Sequence, residues 1–145
     1  MGMEPALMAW ILVAIGVVGF FAYVRFSKTD PQKWHVDPEQ ARNPGASGVL
    51  LRTEHSCSPE EAMAEFAKVA LSSPRSIPLA GSIDDLWATF ETRTKILRFP
   101  DYVTVKAVAS AEGAELVILS RLRFGKSDLG VNAVRIANWV GEMSV

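Results

Sequence analysis

The fold class this chain predicts is α+β, a small antiparallel-sheet domain behind a membrane-spanning helix. Three observations carry it. An uncharged apolar run of 20 residues, Pro5 to Val24, lies near the amino terminus. A helix-start signature, Ser58-Pro59-Glu60-Glu61, is followed by an apolar stripe of helical period. From Arg75 to Phe124 the pattern turns to short alternating stretches, and a second amphipathic segment closes the chain. The order β-α-β-β-β-β-α implies a curved antiparallel sheet with helices packed on one face.

The run PALMAWILVAIGVVGFFAYV is long enough to cross a hydrocarbon core of ~30 Å at ~1.5 Å per helical residue. Trp10 and Tyr23 lie towards its two ends, where amphipathic rings favour the interface. A cleaved signal peptide is the competing reading. Against it, the preceding MGME has no Lys or Arg and the apolar run is longer than a signal core. The expected division is residues 1–4 as a head, 5–24 as a transmembrane helix, 25–47 as a linker and 48–145 as the domain. Arg25, Lys28 and Lys33 follow the span and only Glu4 precedes it, a bias towards a cytoplasmic domain, with an exported domain as the alternative.

All 15 Lys and Arg residues and 15 of the 16 acidic residues lie from Arg25 onward, so the soluble part is formally neutral. That excludes a global nucleic-acid footprint, which needs a basic excess. The single cysteine, Cys57, excludes an internal disulfide and a Cys-rich zinc site. Its place before a helix start would favour the thiolate, but no histidine partner is evident. His35 and His55 stand 20 residues apart with no ligand-spaced carboxylates, so neither a metal nor a cofactor is expected.

In the linker, DPQKWHVDP holds Trp34 and His35 between two Asp-Pro steps, which predicts extended chain without a helix. Trp34 is an interfacial anchor, part of a strap across the domain, or a cover for an apolar edge of the core. Gly48–Thr53 reads as a strand. Ser58 caps a helix with Met63, Phe66, Ala67 and Ala70 on one face, ended by Ser72-Ser73-Pro74. Arg75–Ser82 is an edge strand because of Pro78. Leu86–Ile96 alternates, with Ala88, Phe90 and Thr92 on one face and Trp87, Thr89, Glu91 and Arg93 on the other, facing water or a ligand. Phe99-Pro100-Asp101 reads as a turn, Tyr102–Ser110 as a strand, Glu112-Gly113 as a hairpin turn and Glu115–Phe124 as the last strand. Leu129, Ala133, Ile136, Val140 and Met143 form the stripe of a final helix, capped by Asp128 or Asn132. TATA-binding-protein-like and helix-grip folds share this order of elements, a likeness of fold that carries no function.

The candidate site is the corner between the last strand and the last helix. Arg121, Arg123, Lys126, Ser127, Asp128, Asn132 and Arg135 are gathered there beside Gly125 and Gly130. A glycine-flanked turn at a helix start offers free N–H groups, and the cations would suit a carboxylate, a phosphate or a lipid head group. The structural reading of the same residues is a corner held by Ser, Asp and Asn bonding to backbone, with Arg123 or Arg135 paired to Asp128. GKS is present without the upstream glycine of a phosphate loop, since Ser120 stands five residues before Gly125.

The piece SRLRFGKSDLGVNAVRI closely resembles the C-terminal signature of domain-of-unknown-function family 1499, roughly SRSRxGxSDxGxNxxRI. Ser120, Arg121, Arg123, Gly125, Ser127, Asp128, Gly130, Asn132, Arg135 and Ile136 match, and Leu122 replaces the second serine. Thr92-Arg93-Thr94 with Phe99-Pro100-Asp101 is similar to the family's middle motif, and WHVDP to the leader of membrane-anchored members. The resemblance implies a family and no activity. The expected function is a membrane-anchored binding module for a small anion, a lipid head group or a membrane protein partner, without catalysis. A structural accessory subunit docking through the Trp87 face is the alternative, and a hydrolase using Asp128 a further one.

Overall fold

The computed structural model describes Gly2 and residues 4–145. Of the expected head, Met1 and Met3 lie outside the described residues. Helix α1 (Pro5–Phe26) is the one helix among them long and apolar enough, by length and composition, to cross a membrane. Its 22 residues span roughly 33 Å. Its side chains are exposed all round except Val24, which is fully buried where the helix meets the domain.

The domain's sheet has strands β1 (Gly48–His55), β2 (Ser76–Ser82), β3 (Trp87–Arg93), β4 (Pro100–Ser110) and β5 (Gly113–Leu122). They lie in the order β1-β5-β4-β3-β2, every pair antiparallel. Strands β2 to β5 form a meander. The helix α3 (Pro59–Ser72) carries the chain from the β1 edge to the β2 edge, which makes the expected β-α-β-β-β-β-α order an open sheet. Pro78 sits on the edge strand at a bulge, where no ladder donor is missed.

Helices α3 and α4 (Val131–Glu142) cover one face. Their core takes Met63, Phe66, Ala67 and Ala70 from α3 as the stripe requires, with Phe90, Val103, Val105, Leu116 and Ile118 from the sheet. Trp139 meets Phe66 edge-on at 5.8 Å. Ser58 and Glu61 close a reciprocal capping box at 3.2 and 3.0 Å.

Four expectations are corrected. The linker is not wholly extended: α2 (Pro31–Trp34) is one helical turn. Asp30 is extended, as a residue before proline should be, but Pro31 opens the turn and the Asp30 carboxylate caps it through Gln32 N–H at 3.0 Å. Strand β3 ends at Arg93 instead of Ile96. Thr94 N–H donates to the Phe99 oxygen and Phe99 N–H to Thr94 Oγ1, both at 3.0 Å, which closes residues 94–99 into a loop and makes Pro100 and Asp101 the start of β4 instead of a turn. Helix α4 buries Asn132, Ile136 and Trp139, while Leu129 (92 % exposed) and Ala133 face outward. The helix begins two residues after Leu129, and a buried polar residue, Asn132, whose side-chain oxygen accepts from Ser120 and Arg135, takes the place expected of an apolar one.

The fourth correction concerns the other face of the sheet, which faces neither water nor an open ligand site. Residues 27–40 cross it as a strap. Trp34 stacks on Tyr102 at 4.2 Å and His35 on Trp87 at 4.2 Å. The Trp87 indole N–H donates to the Val36 oxygen at 3.3 Å, and Lys106 pairs with Asp37 (2.9 Å) and Glu39 (2.5 Å). Tyr102, Thr104, Val117 and Leu119 are consequently buried on this side. Gly81, at φ +73°, leaves room for the His35 ring: a Cβ there would stand 2.7 Å from His35 Cε1.

The cation–carboxylate corner and the cleft beside it

The fold separates the seven candidate residues. Asn132 and Arg135 lie on α4 on the helix side, Arg121 and Arg123 reach the strap side, and Lys126, Ser127 and Asp128 lie in the loop between β5 and α4. On the helix side, β4 contributes Asp101, β5 contributes Ser120 and α4 contributes Asn132 and Arg135. The Arg135 guanidinium donates to Asn132 Oδ1 at 2.7 Å and to Asp101 Oδ2 at 3.1 Å. The Ser120 hydroxyl donates to the same Asn132 oxygen. Asn132 is fully buried, and its Nδ2 has no hydrogen-bond partner among the described residues. Burial pushes the Asp101 carboxyl above its ordinary value; Arg135 works against the rise and Asp128 adds to it.

Asp128 is a cap. Gly130 occupies the N-cap position of α4 in the left-handed region (φ +81°), and Asp128 reaches past it to accept from Gly130 N–H at 2.9 Å and Asn132 N–H at 3.0 Å. Burial pushes its carboxyl up, but bonds from Asn132 and Gly130 outweigh that and hold it below the usual range. The expected pairing of Asp128 with Arg123 or Arg135 does not form: Arg135 is taken by Asp101 and Arg123 lies on the opposite face. Ser127 Oγ accepts from Leu129 N–H at 3.2 Å, and Lys126 is exposed.

On the strap side, Arg121 donates to the Trp34 oxygen at 2.9 Å with its guanidinium 5.1 Å from the Trp34 ring centre, and burial lowers its pKa. Arg123 donates to the Tyr102 hydroxyl at 3.2 Å and the Lys28 oxygen at 3.3 Å. The Tyr102 hydroxyl bonds Thr29 at 2.7 Å, Thr29 donates to Glu91 at 2.6 Å, and Arg93 donates to Glu91 at 2.6 Å. The pieces singled out in the sequence are therefore fastened to one another. Asp101 of the middle motif holds Arg135 of the C-terminal signature, and Trp34 of the leader is held by Arg121.

The family described as "Protein of unknown function (DUF1499)" matches residues 26–143. The chain belongs to the DUF1499 family. No curated protein and no solved structure matches it. The DUF1499 match begins at Phe26 and so takes in the strap as well as the sheet.

Among the described residues, neither histidine of this DUF1499 domain is hydrogen-bonded to an Asp or Glu side chain or to Cys57. His35 Nδ1 bonds Thr89 at 2.9 Å; His55 bonds Thr53 at 3.0 Å and the Val145 oxygen at 3.2 Å. Cys57 does not gain thiolate character: burial and the nearby Glu61 push its thiol up.

Two cavities flank α4. The one over the corner itself, about 200 Å³, is lined by Asp101, Asp128, Ser127, Phe99, Phe124 and neighbours; both of its charged residues are acidic. The other, about 360 Å³, lies between the end of α3, the end of β3 and α4. Arg75, Arg93, Lys95 and Arg135 line it with Ser73, Thr92, Thr94 and Trp139, and no carboxylate belongs to its lining. Arg75, at φ +61°, donates through Nε to the Arg93 oxygen at 3.0 Å and is otherwise exposed; Lys95 is exposed. Of the seven candidates only Arg135 reaches this cleft. Arg75 and Lys95 belong to no motif read from the sequence, and only the fold places them beside Arg135.

Proposed function

We propose that this DUF1499 protein is a membrane-tethered, non-catalytic binding module. Its ligand is a small anion, a carboxylate or a phosphate, held in the cleft of Arg75, Lys95 and Arg135. The observation that carries the reading is the lining: Arg75, Lys95 and Arg135 with three hydroxyl residues around about 360 Å³, and no carboxylate in that lining among the described residues. Asp101 behind Arg135 fixes the guanidinium, so one donor group is pre-positioned, while Arg75 and Lys95 supply mobile charge at the rim. The corner cavity, with Asp101 and Asp128, would repel an anion.

The tether is supported by the way α1 joins the domain. Val24 is fully buried, Tyr23 packs on Phe124 at 6.1 Å, and Arg93 donates to the Val24 and Arg25 oxygens at 3.4 and 3.2 Å. A cleaved leader would remove side chains the domain packs against, which favours a retained anchor. Arg25, Lys28 and Lys33 favour a cytoplasmic domain, which protease protection in sealed vesicles tests.

The test of the ligand is titration of the full chain in maltoside micelles with inorganic phosphate and with succinate, followed by amide and Arg side-chain NMR shifts. Saturable shifts confined to residues 73–75, 92–95 and 131–139 are expected, and Arg75→Ala with Lys95→Ala abolishes them at an unchanged unfolding midpoint. Absence of saturation, or binding that survives the double variant, rules the cleft out.

The two other readings lose their support. Trp87, the proposed docking aromatic, lies under His35. Asp128, the proposed hydrolytic base, is engaged by two backbone N–H groups, with no histidine bonded to it.

A further inference from the structure

The loop between β3 and β4, residues 94–99, carries an apolar tip that the domain leaves uncovered. Ile96 is 82 % exposed and Leu97 43 %. The tip stands against α1: a groove of about 340 Å³ is lined by Val18, Phe21, Ala22 and Phe26 on the helix and by Ile96 and Leu97 on the loop. Val18 precedes the helix end at Phe26 by eight residues, or about 12 Å along the axis. The loop therefore reaches back beside the last turns of α1. Phe99 at its base packs on Phe21 and on Phe124, each at 6.3 Å, which holds the loop against the helix.

Cations surround this tip. Arg25 borders the groove, Lys95 precedes Ile96, and Arg98, with Arg25, lines a second hollow beside it. An apolar tip ringed by cations, beside an apolar helix of spanning length, has the pattern of an interfacial membrane contact, with chains in the acyl boundary and ammonium or guanidinium groups at phosphates.

We propose that residues 94–99 dip into the leaflet from which α1 emerges, with Ile96 and Leu97 in the headgroup–acyl boundary and Arg25, Lys95 and Arg98 at anionic lipid phosphates. The inference rests on the reading of α1 as a membrane span. A loop lodged beside the helix gives the domain a second point of attachment, which sets its tilt and brings the mouth of the cationic cleft, which Lys95 also lines, to the membrane surface.

The experiment uses the full chain in Cys57→Ser background, reconstituted in phosphatidylcholine vesicles with and without phosphatidylglycerol. Single spin-labelled cysteines are placed by Ile96→Cys and Leu97→Cys, with Val13→Cys on α1 and Ala111→Cys on the far hairpin as references. Access to dissolved oxygen and to a polar nickel chelate is read at each. Labels at 96 and 97 are expected to lose nickel access and keep oxygen access as at 13, and to lie deeper with phosphatidylglycerol present. Labels at 96 and 97 that match 111 while 13 stays immersed would overturn the loop insertion and leave the anchor standing. A nickel-accessible label at 13 would remove the anchor and the loop insertion together. Protection from both reagents, with spin–spin broadening, would assign the tip to a second copy of the chain and overturn the proposal. Equal depth in the two lipid mixtures would overturn the headgroup part.

Discussion

Asp101 and Arg135, 34 residues apart in sequence, meet at 3.1 Å between the sheet and α4, with side-chain exposures of only 8 % and 16 %. Arg135 bridges Asp101 to Asn132, and Asn132 in turn takes the Ser120 hydroxyl, so four polar residues from three elements share one buried network. Removing one member leaves the others without partners in a low dielectric. Arg135→Ala should therefore destabilise the domain by about 3 kcal/mol, measured by denaturant unfolding in micelles. Arg135→Lys should recover less than half, because one ammonium does not reproduce a guanidinium fork reaching two acceptors. Loss below about 1 kcal/mol for Arg135→Ala would mean that the pair's desolvation cancels its attraction.

The same network fixes a pH dependence. Burial, the largest influence on Asp101, raises its folded pKa above the ordinary 3.8 despite Arg135. A carboxyl with a raised folded pKa holds its proton longer in the folded state than in the unfolded chain. Its contribution is intact below 3.8 and is lost as pH rises through the raised value. The unfolding free energy of Asp101→Asn minus that of wild type should therefore increase as pH rises from 3.8. A flat difference would show that Asp101 titrates as it does in the unfolded chain.

The sequence was most legible where local chemistry decided the outcome. Ser58-Pro59-x-Glu61 specified the start of α3, Pro78 marked an edge, and alternation placed Arg121 and Arg123 opposite Ser120. It was least legible where a distant segment took over. Alternation in β3 implied one solvated face, but the strap covers it. The unbroken apolar run Leu116-Val117-Ile118-Leu119, all buried, was the local signal that both faces are covered. Asn132 read as a cap because Asn is a good cap, yet its partners Ser120 and Arg135 make it a core residue instead. The cleft was invisible for the same reason: Arg75 and Arg135 become neighbours only through the fold.

The strap should loosen in mild acid. Burial holds His35 below its ordinary 6.5, where it bonds Thr89 and stacks on Trp87. The Lys106 ammonium already lies 5.9 Å from that indole, so a charged imidazole would add a second cation, with Asp37 and Glu39 engaged by Lys106. For a depressed base the contribution is full above 6.5 and is lost as pH falls from there towards the folded value. Hydrogen exchange of residues 31–37 should speed up below pH 6.5 relative to β4, and His35→Gln should remove the dependence. Exchange that is independent of pH, after correction for intrinsic rates, would refute it.

Asp128 should behave as a cap and nothing more. Asp128→Ala frees the Gly130 and Asn132 N–H groups and should cost about 1 kcal/mol, with Asp128→Asn close to wild type. Phosphate binding to the cleft should survive both substitutions. A loss of binding at full stability would return the corner to the site.

Arg93 should determine how firmly α1 is seated. Its Nε pairs with Glu91 at 2.6 Å, and Nη1 faces the Val24, Arg25 and Arg98 oxygens at 3.4, 3.2 and 3.1 Å. A cation at the end of α1 meets carbonyls that have no intrahelical partner, and it also neutralises Glu91, whose side chain is 6 % exposed. Arg93→Ala should strand Glu91 and cost on the order of 3 kcal/mol. It should also raise hydrogen exchange at residues 25–30 more than in β5, because the helix end and Thr29 lose their shared anchor. Arg93→Gln, which keeps donors without charge, should restore part of the helix seating and little of the stability. If both variants unfold at the wild-type midpoint with unchanged exchange at 25–30, α1 is held by Val24 and its aromatic contacts alone.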